Sequence, residues 1–145
     1  VVLEISTMLS FTLAIVVIFF GCNANDSPII GVLTLPCDYE TQYCVNNAKA
    51  TTYLPASYVK WLESGGARVV PIQSDDSFQN VDKLLPQLNG VLITGGAADS
   101  SSFWYTQLQN ILVSLRKYAQ SSSYASVLPL WATCLGFEYV QCAIA

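Results

Sequence analysis

Four short, mostly apolar segments, Ile29–Leu35, Arg68–Ile72, Gly90–Thr94 and Val127–Trp131, punctuate the chain at intervals that hold helix-patterned segments. Strands that are apolar throughout, rather than at alternate positions, are those of a parallel sheet buried on both faces. The intervening segments supply the cover. In the stretch TTYLPASYVKWLESGGA, the apolar residues Leu54, Tyr58, Trp61 and Leu62 recur at helical spacing. Pro55 is tolerable in a first turn there, and Gly65-Gly66 provides the stop. Asp75-Asp76-Ser77 caps a helix through Val81, Leu84, Leu85 and Leu88. A longer helix across Phe103–Tyr118 buries Leu108, Ile111, Leu112 and Leu115. Pro71 places the second strand near its end or at a sheet edge. Strands alternating with helices in this way imply an α/β fold with a parallel sheet covered on both faces.

With 145 residues the chain holds at most one domain, and no linker divides it. Hydrophobic content of 52% against 11% charged argues for an extensive core and against disorder. Part of that excess is Met8–Phe20, MLSFTLAIVVIFF, followed by Gly21-Cys22-Asn23-Ala24 with small residues at signal-peptidase spacing. The run is short for a membrane span, which needs about 20 residues. Residues 1–24 therefore read as a cleaved signal peptide and residues 25–145 as the domain. The alternatives are an uncleaved anchor and a lipid-modified Cys22. Asn25-Asp26-Ser27 is a glycosylation sequon just past the cleavage point. Removing residues 1–24 takes away only Glu4 among the charges, and the net −4 of the whole chain becomes −3. Without a basic stripe, nucleic acid is not an expected partner, and no stable membrane association is expected after cleavage.

The chemistry concentrates at PLWATCLGFE, residues 129–138. Ala132-Thr133-Cys134-Leu135-Gly136 fits a sharp strand-to-helix turn with a nucleophile at its apex, flanked two positions either side by small residues. Such a turn lifts the thiol clear at the carboxyl end of the strand. It also aims the following helix N-terminus at it, which favours thiolate over thiol. The competing reading is a buried structural cysteine at a strand end. Glu138, one helical turn on, can place its carboxylate on the same side as the thiol; otherwise it is a solvated surface residue that suits a helix N-terminus. Gly95-Gly96-Ala97 ends the third strand, where ligand loops converge in parallel α/β folds. Its backbone N–H groups, with that of Leu135, are candidate oxyanion donors; the alternative is a plain strand-ending turn.

The chain has no histidine, although a cysteine nucleophile normally works with an imidazole base. Together with scattered cysteines, this leaves no metal-ligand spacing, and no phosphate or dinucleotide loop is present. No metal and no cofactor are expected. Cys37 and Cys44 lie close together in the polar segment 36–49 and are either a disulfide or two free thiols.

PIIGVLTLP at 28–36, YLPASYVKWLESGGARVVPI at 53–72, NGVLITGG at 89–96 and PLWATCLGFE at 129–138 together resemble the gamma-glutamyl hydrolase family of the class I glutamine-amidotransferase-like superfamily. The resemblance covers nearly all of the chain after residue 24. It implies a flavodoxin-like three-layer α/β sandwich with a mostly parallel sheet. It also implies a cysteine-type omega peptidase that removes γ-linked glutamates from folylpoly-γ-glutamates, in lysosomes, vacuoles or the extracellular space. Cys134 then matches the nucleophile, and Gly96 with Leu135 the oxyanion hole. Gly95 and Glu138 fall in the substrate-binding positions. The family's catalytic histidine and its acidic partner fall beyond Ala145, so the chain reads as the N-terminal part of such an enzyme. A homodimer is left open. Ala132, Thr94 and Pro55 depart from the residues usual there: glycine, proline and alanine. Two other functions compete: a glutamine amidotransferase domain, and a catalytically inactive fragment or binding protein that keeps the pocket without the base.

Overall fold

The structure, a computed structural model, describes residues 27–37, 44, 49–121 and 128–145. The expected signal segment and the sequon's Asn25 lie outside the described residues. Four parallel strands form the main sheet: β1 (Ile29–Leu33), β4 (Arg68–Ile72), β5 (Gly90–Ile93) and β6 (Leu130–Ala132), in the spatial order β4-β1-β5-β6. Ile30 pairs with Val69 on one side and Gly90 on the other, and Ile93 pairs with Ala132. This is the flavodoxin-like order, in which the chain first moves to one side of β1 and then crosses to the other. The loops leaving β1 and β5 part there in opposite directions, which opens a crevice above the sheet.

Helices α1 (Ala56–Ser64), α2 (Phe78–Leu84), α3 (Phe103–Gln120) and α4 (Leu135–Ile144) connect or follow these strands, and a 3-10 turn, Leu85–Gln87, extends α2. One face of the sheet offers Leu33, Ile72, Val91 and Ile93 to Val81 and Leu85, to Trp104, Leu108 and Ile111 of α3, and to Val140 of α4. Leu33, Ile72, Ile93, Trp104, Leu108 and Ile111 are fully buried, each worth about 1.5–3 kcal/mol relative to exposure. The alternate residues Val32 and Leu92 point to the other face and are also buried. Leu62 and Trp61 of α1 line a hollow with Leu92 and Trp131 on that side. Among the described residues, no helix is long and apolar enough to cross a membrane.

Sequence expectations needed correction in several places. The first strand stops at Leu33; Thr34 turns aside to accept Ser74 N–H on its hydroxyl, and Leu35–Pro36 (β2) pairs instead with Thr52–Tyr53 (β3) in an antiparallel ladder. The fourth strand is Leu130–Ala132 rather than Val127–Trp131, of which Val127 lies outside the described residues, and Trp131 is 63% exposed. The strand sits at the edge of the described sheet, where Trp131 meets the tilted ring of Trp61, centroids 6.4 Å apart. Of the apolar residues at helical spacing, Leu54 lies before α1, which begins at Ala56, and Trp61 is 54% exposed. The helix expected through Leu88 ends at Leu84 and is continued by the 3-10 turn, and Leu115 is only partly buried. Pro71 lies on edge strand β4, where its missing N–H costs no ladder bond. Ser77 caps α2 by accepting Asn80 N–H.

Candidate active site

Cys134 stands between β6 and α4 with φ 50° and ψ −122°, the only non-glycine residue at positive φ among those described. A side chain in that region costs roughly 1–3 kcal/mol, so the surroundings must hold it there. Thr133 N–H donates to Ile93 O at 3.1 Å, which ties the turn to β5. Gly136 N–H donates to Thr133 O at 3.0 Å, and Glu138 N–H to Cys134 O at 3.0 Å, which winds the first turn of α4 directly onto the cysteine. The strain leaves the thiol free and exposed at the carboxyl end of the sheet. This is the geometry of a nucleophile elbow.

Gly136 shows why the residue two positions after the thiol has to be small. A Cβ there would lie 2.7 Å from Ile93 Cγ2, from Ile93 O and from Thr94 O. The helix thus starts in direct backbone contact with β5. Ala132, two positions before, pairs with Ile93 and carries its methyl group within the strand.

The loop after β5 forms the second wall. A Cβ on Gly95 would meet Cys134 Cβ at 2.8 Å, so the side chain of Cys134 leaves room only for glycine there. Gly95 N–H donates to Tyr58 Oη at 3.0 Å. Gly96 adopts φ +148°, a conformation open to glycine, with Leu35 of β2 packed where a side chain would go. Gly95 and Gly96 also line a cavity of about 600 Å³, with Tyr53, Leu54, Pro55, Ala56, Ser57 and Tyr58 on the opposite side. Leu135 is the first residue of α4, and an N–H at that position has no carbonyl of its own helix to bond. Glu138 is exposed, one turn beyond the thiol.

The structure therefore brings Cys134 and Gly95 together, sets Gly96 beside the adjoining cavity, and places Leu135 and Glu138 on the helix that starts at the thiol. It adds two groups that sequence reasoning missed. Tyr58 reads in the sequence as one member of a helical stripe, and nothing in its local pattern signals a partner 37 residues away. The β2–β3 ladder is too short to leave a periodic signal, yet it delivers Leu35 to Gly96 and Tyr53 to the cavity. Cys37 and Cys44 form a disulfide with Cα atoms 6.0 Å apart. It closes the segment between them just after β2, where Cys37 N–H donates to Thr51 O at 3.0 Å.

The fold and this turn define a class: flavodoxin-like α/β domains that present a thiol on a strand–turn–helix elbow beside a glycine loop. The pattern of the Peptidase C26 family matches residues 28–145. Gamma-glutamyl hydrolase of Mus musculus is 37% identical over 123 residues, which are 85% of this chain and 37% of that protein. The gamma-glutamyl hydrolase of Homo sapiens is 37% identical over 118 residues, 81% of this chain and 35% of that protein. That of Glycine max is 44% identical over 88 residues, 57% of this chain and 25% of that protein. The chain spans about a third of the length of the curated relatives it matches. It belongs to the Peptidase C26 family.

Proposed function

We propose that this chain carries the nucleophile, the oxyanion donors and one wall of the substrate cavity of a gamma-glutamyl hydrolase, a cysteine-type omega peptidase. The observation that carries the reading is Cys134, held at positive φ with its thiol exposed beside Gly95. The Cys134 thiolate attacks the side-chain carbonyl of a γ-linked glutamate, forming a C–S bond and moving charge onto the carbonyl oxygen. The N–H groups of Gly96 and Leu135 receive that oxyanion, each such donor being worth on the order of 10²–10³ in rate. Collapse breaks the C–N bond, the proton given up by the thiol goes to the departing amine, and water then adds to the thioester, releasing the γ-carboxylate and regenerating the thiol. Glu138 and Gly95 contribute to holding the glutamyl group, and folylpoly-γ-glutamate is the proposed substrate class. Residues 1–24 are proposed as a signal peptide that directs the protein to the extracellular space, lysosome or vacuole.

The absence of histidine from these 145 residues favours a second reading for the chain taken alone. No imidazole is at hand to deprotonate the thiol or protonate the leaving amine, so the chain alone binds a γ-glutamyl amide but neither acylates on it nor turns it over at a useful rate.

Activated esters separate the two steps, because their leaving group needs no acid. Residues 25–145 treated with the γ-p-nitrophenyl ester of glutamate should acquire one glutamyl group, found on Cys134 by peptide mass spectrometry, and should do so faster than with the α-ester. Cys134→Ser should remove that label and Cys142→Ser should leave it. Equal labelling by the two esters would remove the γ-glutamyl assignment, and a label on Cys142 would remove the elbow thiol as nucleophile.

A further inference from the structure

Tyr58 is the third residue of α1, yet its hydroxyl leaves that helix to accept the N–H of Gly95 at 3.0 Å. A strand-ending N–H of a buried residue needs a partner, and here a side chain from another element supplies it. The point where a Cβ of residue 95 would stand lies 3.0 Å from Tyr58 Oη and 2.8 Å from Cys134 Cβ. Tyr58 and Gly95 thus line the cavity together, and Gly95 lies against Cys134. Two consequences follow for the loop. The donor of Gly95 is already engaged, so it is not free for a substrate oxygen. The loop is also held from two sides, by the Tyr58 hydroxyl at Gly95 and by Leu35 packed against Gly96.

We infer that Tyr58 is a positioning residue: by holding the Gly95 N–H, its hydroxyl sets the direction in which the Gly96 N–H faces the oxygen that develops on a Cys134-bound substrate. The inference rests on the reading of Cys134 as nucleophile. Its physical basis is the tight tolerance of such donors, which act only within about 2.7–3.1 Å of the oxyanion. A loop released by one hydrogen bond no longer meets that requirement, although the thiol itself is untouched.

Two reagents distinguish these effects at Cys134. With p-nitrophenyl acetate the thiolate adds to the ester carbonyl, passes through an oxyanion, forms the thioester and expels p-nitrophenolate without needing an acid. Iodoacetamide alkylates the same thiolate by direct displacement of iodide and passes through no oxyanion. Tyr58→Phe should slow acetylation of Cys134 by about 10-fold or more, below the full loss of a donor, while alkylation stays within about twofold. Acetylation and alkylation falling by the same factor, or both staying unchanged, would overturn the inference and leave the nucleophile intact. In the unmutated chain, hydrogen exchange at the Gly95 amide should be slower than at Gly96, and equal rates would also overturn it. A parent protein whose Cys134 alkylates no faster than Cys142 would overturn the nucleophile reading, and this inference with it.

Discussion

Replacing Gly136 by alanine tests the elbow through packing alone, since the residue is neither the proposed nucleophile nor a proposed donor. The added methyl would stand 2.7 Å from three atoms, two of them the carbonyl oxygens of Ile93 and Thr94. Ordinary contact begins near 3.4 Å, so α4 must retreat from β5 by about 0.7 Å or tilt. Neither carbonyl is the far end of a side chain that could swing away; Ile93 is fully buried and lies in the paired strand. Overpacking of this kind costs about 1–3 kcal/mol, and backbone partners place this case toward the upper end. For a domain of this size, about 2–3 kcal/mol corresponds to a fall in Tm of roughly 6–15 °C. The retreat also carries Cys134 with it, and a misplacement near 1 Å costs on the order of 10² in rate. Urea and thermal denaturation followed by circular dichroism read the first effect, and acylation of Cys134 reads the second. Two other glycines calibrate the result. Gly65→Ala meets only Leu62 O, at 3.4 Å, and should change stability by less than about 0.5 kcal/mol. Gly66→Ala has open space but φ +84°, so it should cost about 1–2 kcal/mol from backbone strain without touching the site. A Gly136→Ala protein as stable and as readily acylated as the parent would refute the contact between helix and strand on which the elbow is built.

Asp82 links α2 to α3: its carboxylate accepts Ser114 Oγ–H at 2.7 Å and Tyr118 Oη–H at 2.8 Å. These hydrogen bonds, with Lys117 nearby, hold its pKa below the ordinary aspartate value of 3.8 despite a desolvation effect in the other direction. A depressed folded-state pKa stabilises above the unfolded-state value and is lost as pH falls through the folded one. Asp82→Ala should therefore lower the urea midpoint at pH 7, and the gap to the parent should close as pH falls below about 3.8; solvent screening keeps it small, and a gap that persists in acid would refute the linkage. Removing the Cys37–Cys44 bridge with the double serine variant should cost about 2 kcal/mol, as expected for a short closed loop. Denaturation with and without reductant checks this, since the variant should become insensitive to reductant while the parent does not.

The arrangement of strands and helices was legible in the chain because burial on both faces demands uninterrupted apolar residues, and IIGVLTL and GVLIT meet that demand. The elbow was legible for a related reason. A thiol at a strained turn needs small neighbours, and Ala132 and Gly136 frame Cys134 visibly in the sequence. Where a segment's environment is set by something beyond its own period, the pattern misled. Val127–Trp131 is as apolar as an inner strand, but at the sheet edge only Leu130–Ala132 pair, and Trp131 faces outward. Leu54, counted at helical spacing with Tyr58, Trp61 and Leu62, lies before the helix begins at Ala56. The pairing of Cys37 with Cys44, open on spacing alone, rests on Cα atoms that the fold brings to 6.0 Å from one another.

The candidate site divides along the same line. By itself the sequence determined the parallel α/β class, the thiol at the end of the fourth strand and the paired glycines at the end of the third, because each depends on residues within a few positions of one another. Only the tertiary structure decided that Gly95 lies against Cys134, that Gly136 abuts β5, that Leu35 backs Gly96 and that Tyr58 occupies the Gly95 donor. Those contacts join residues tens of positions apart. They are set by strand order and by the path of loops over the sheet's carboxyl end, which local periodicity does not encode.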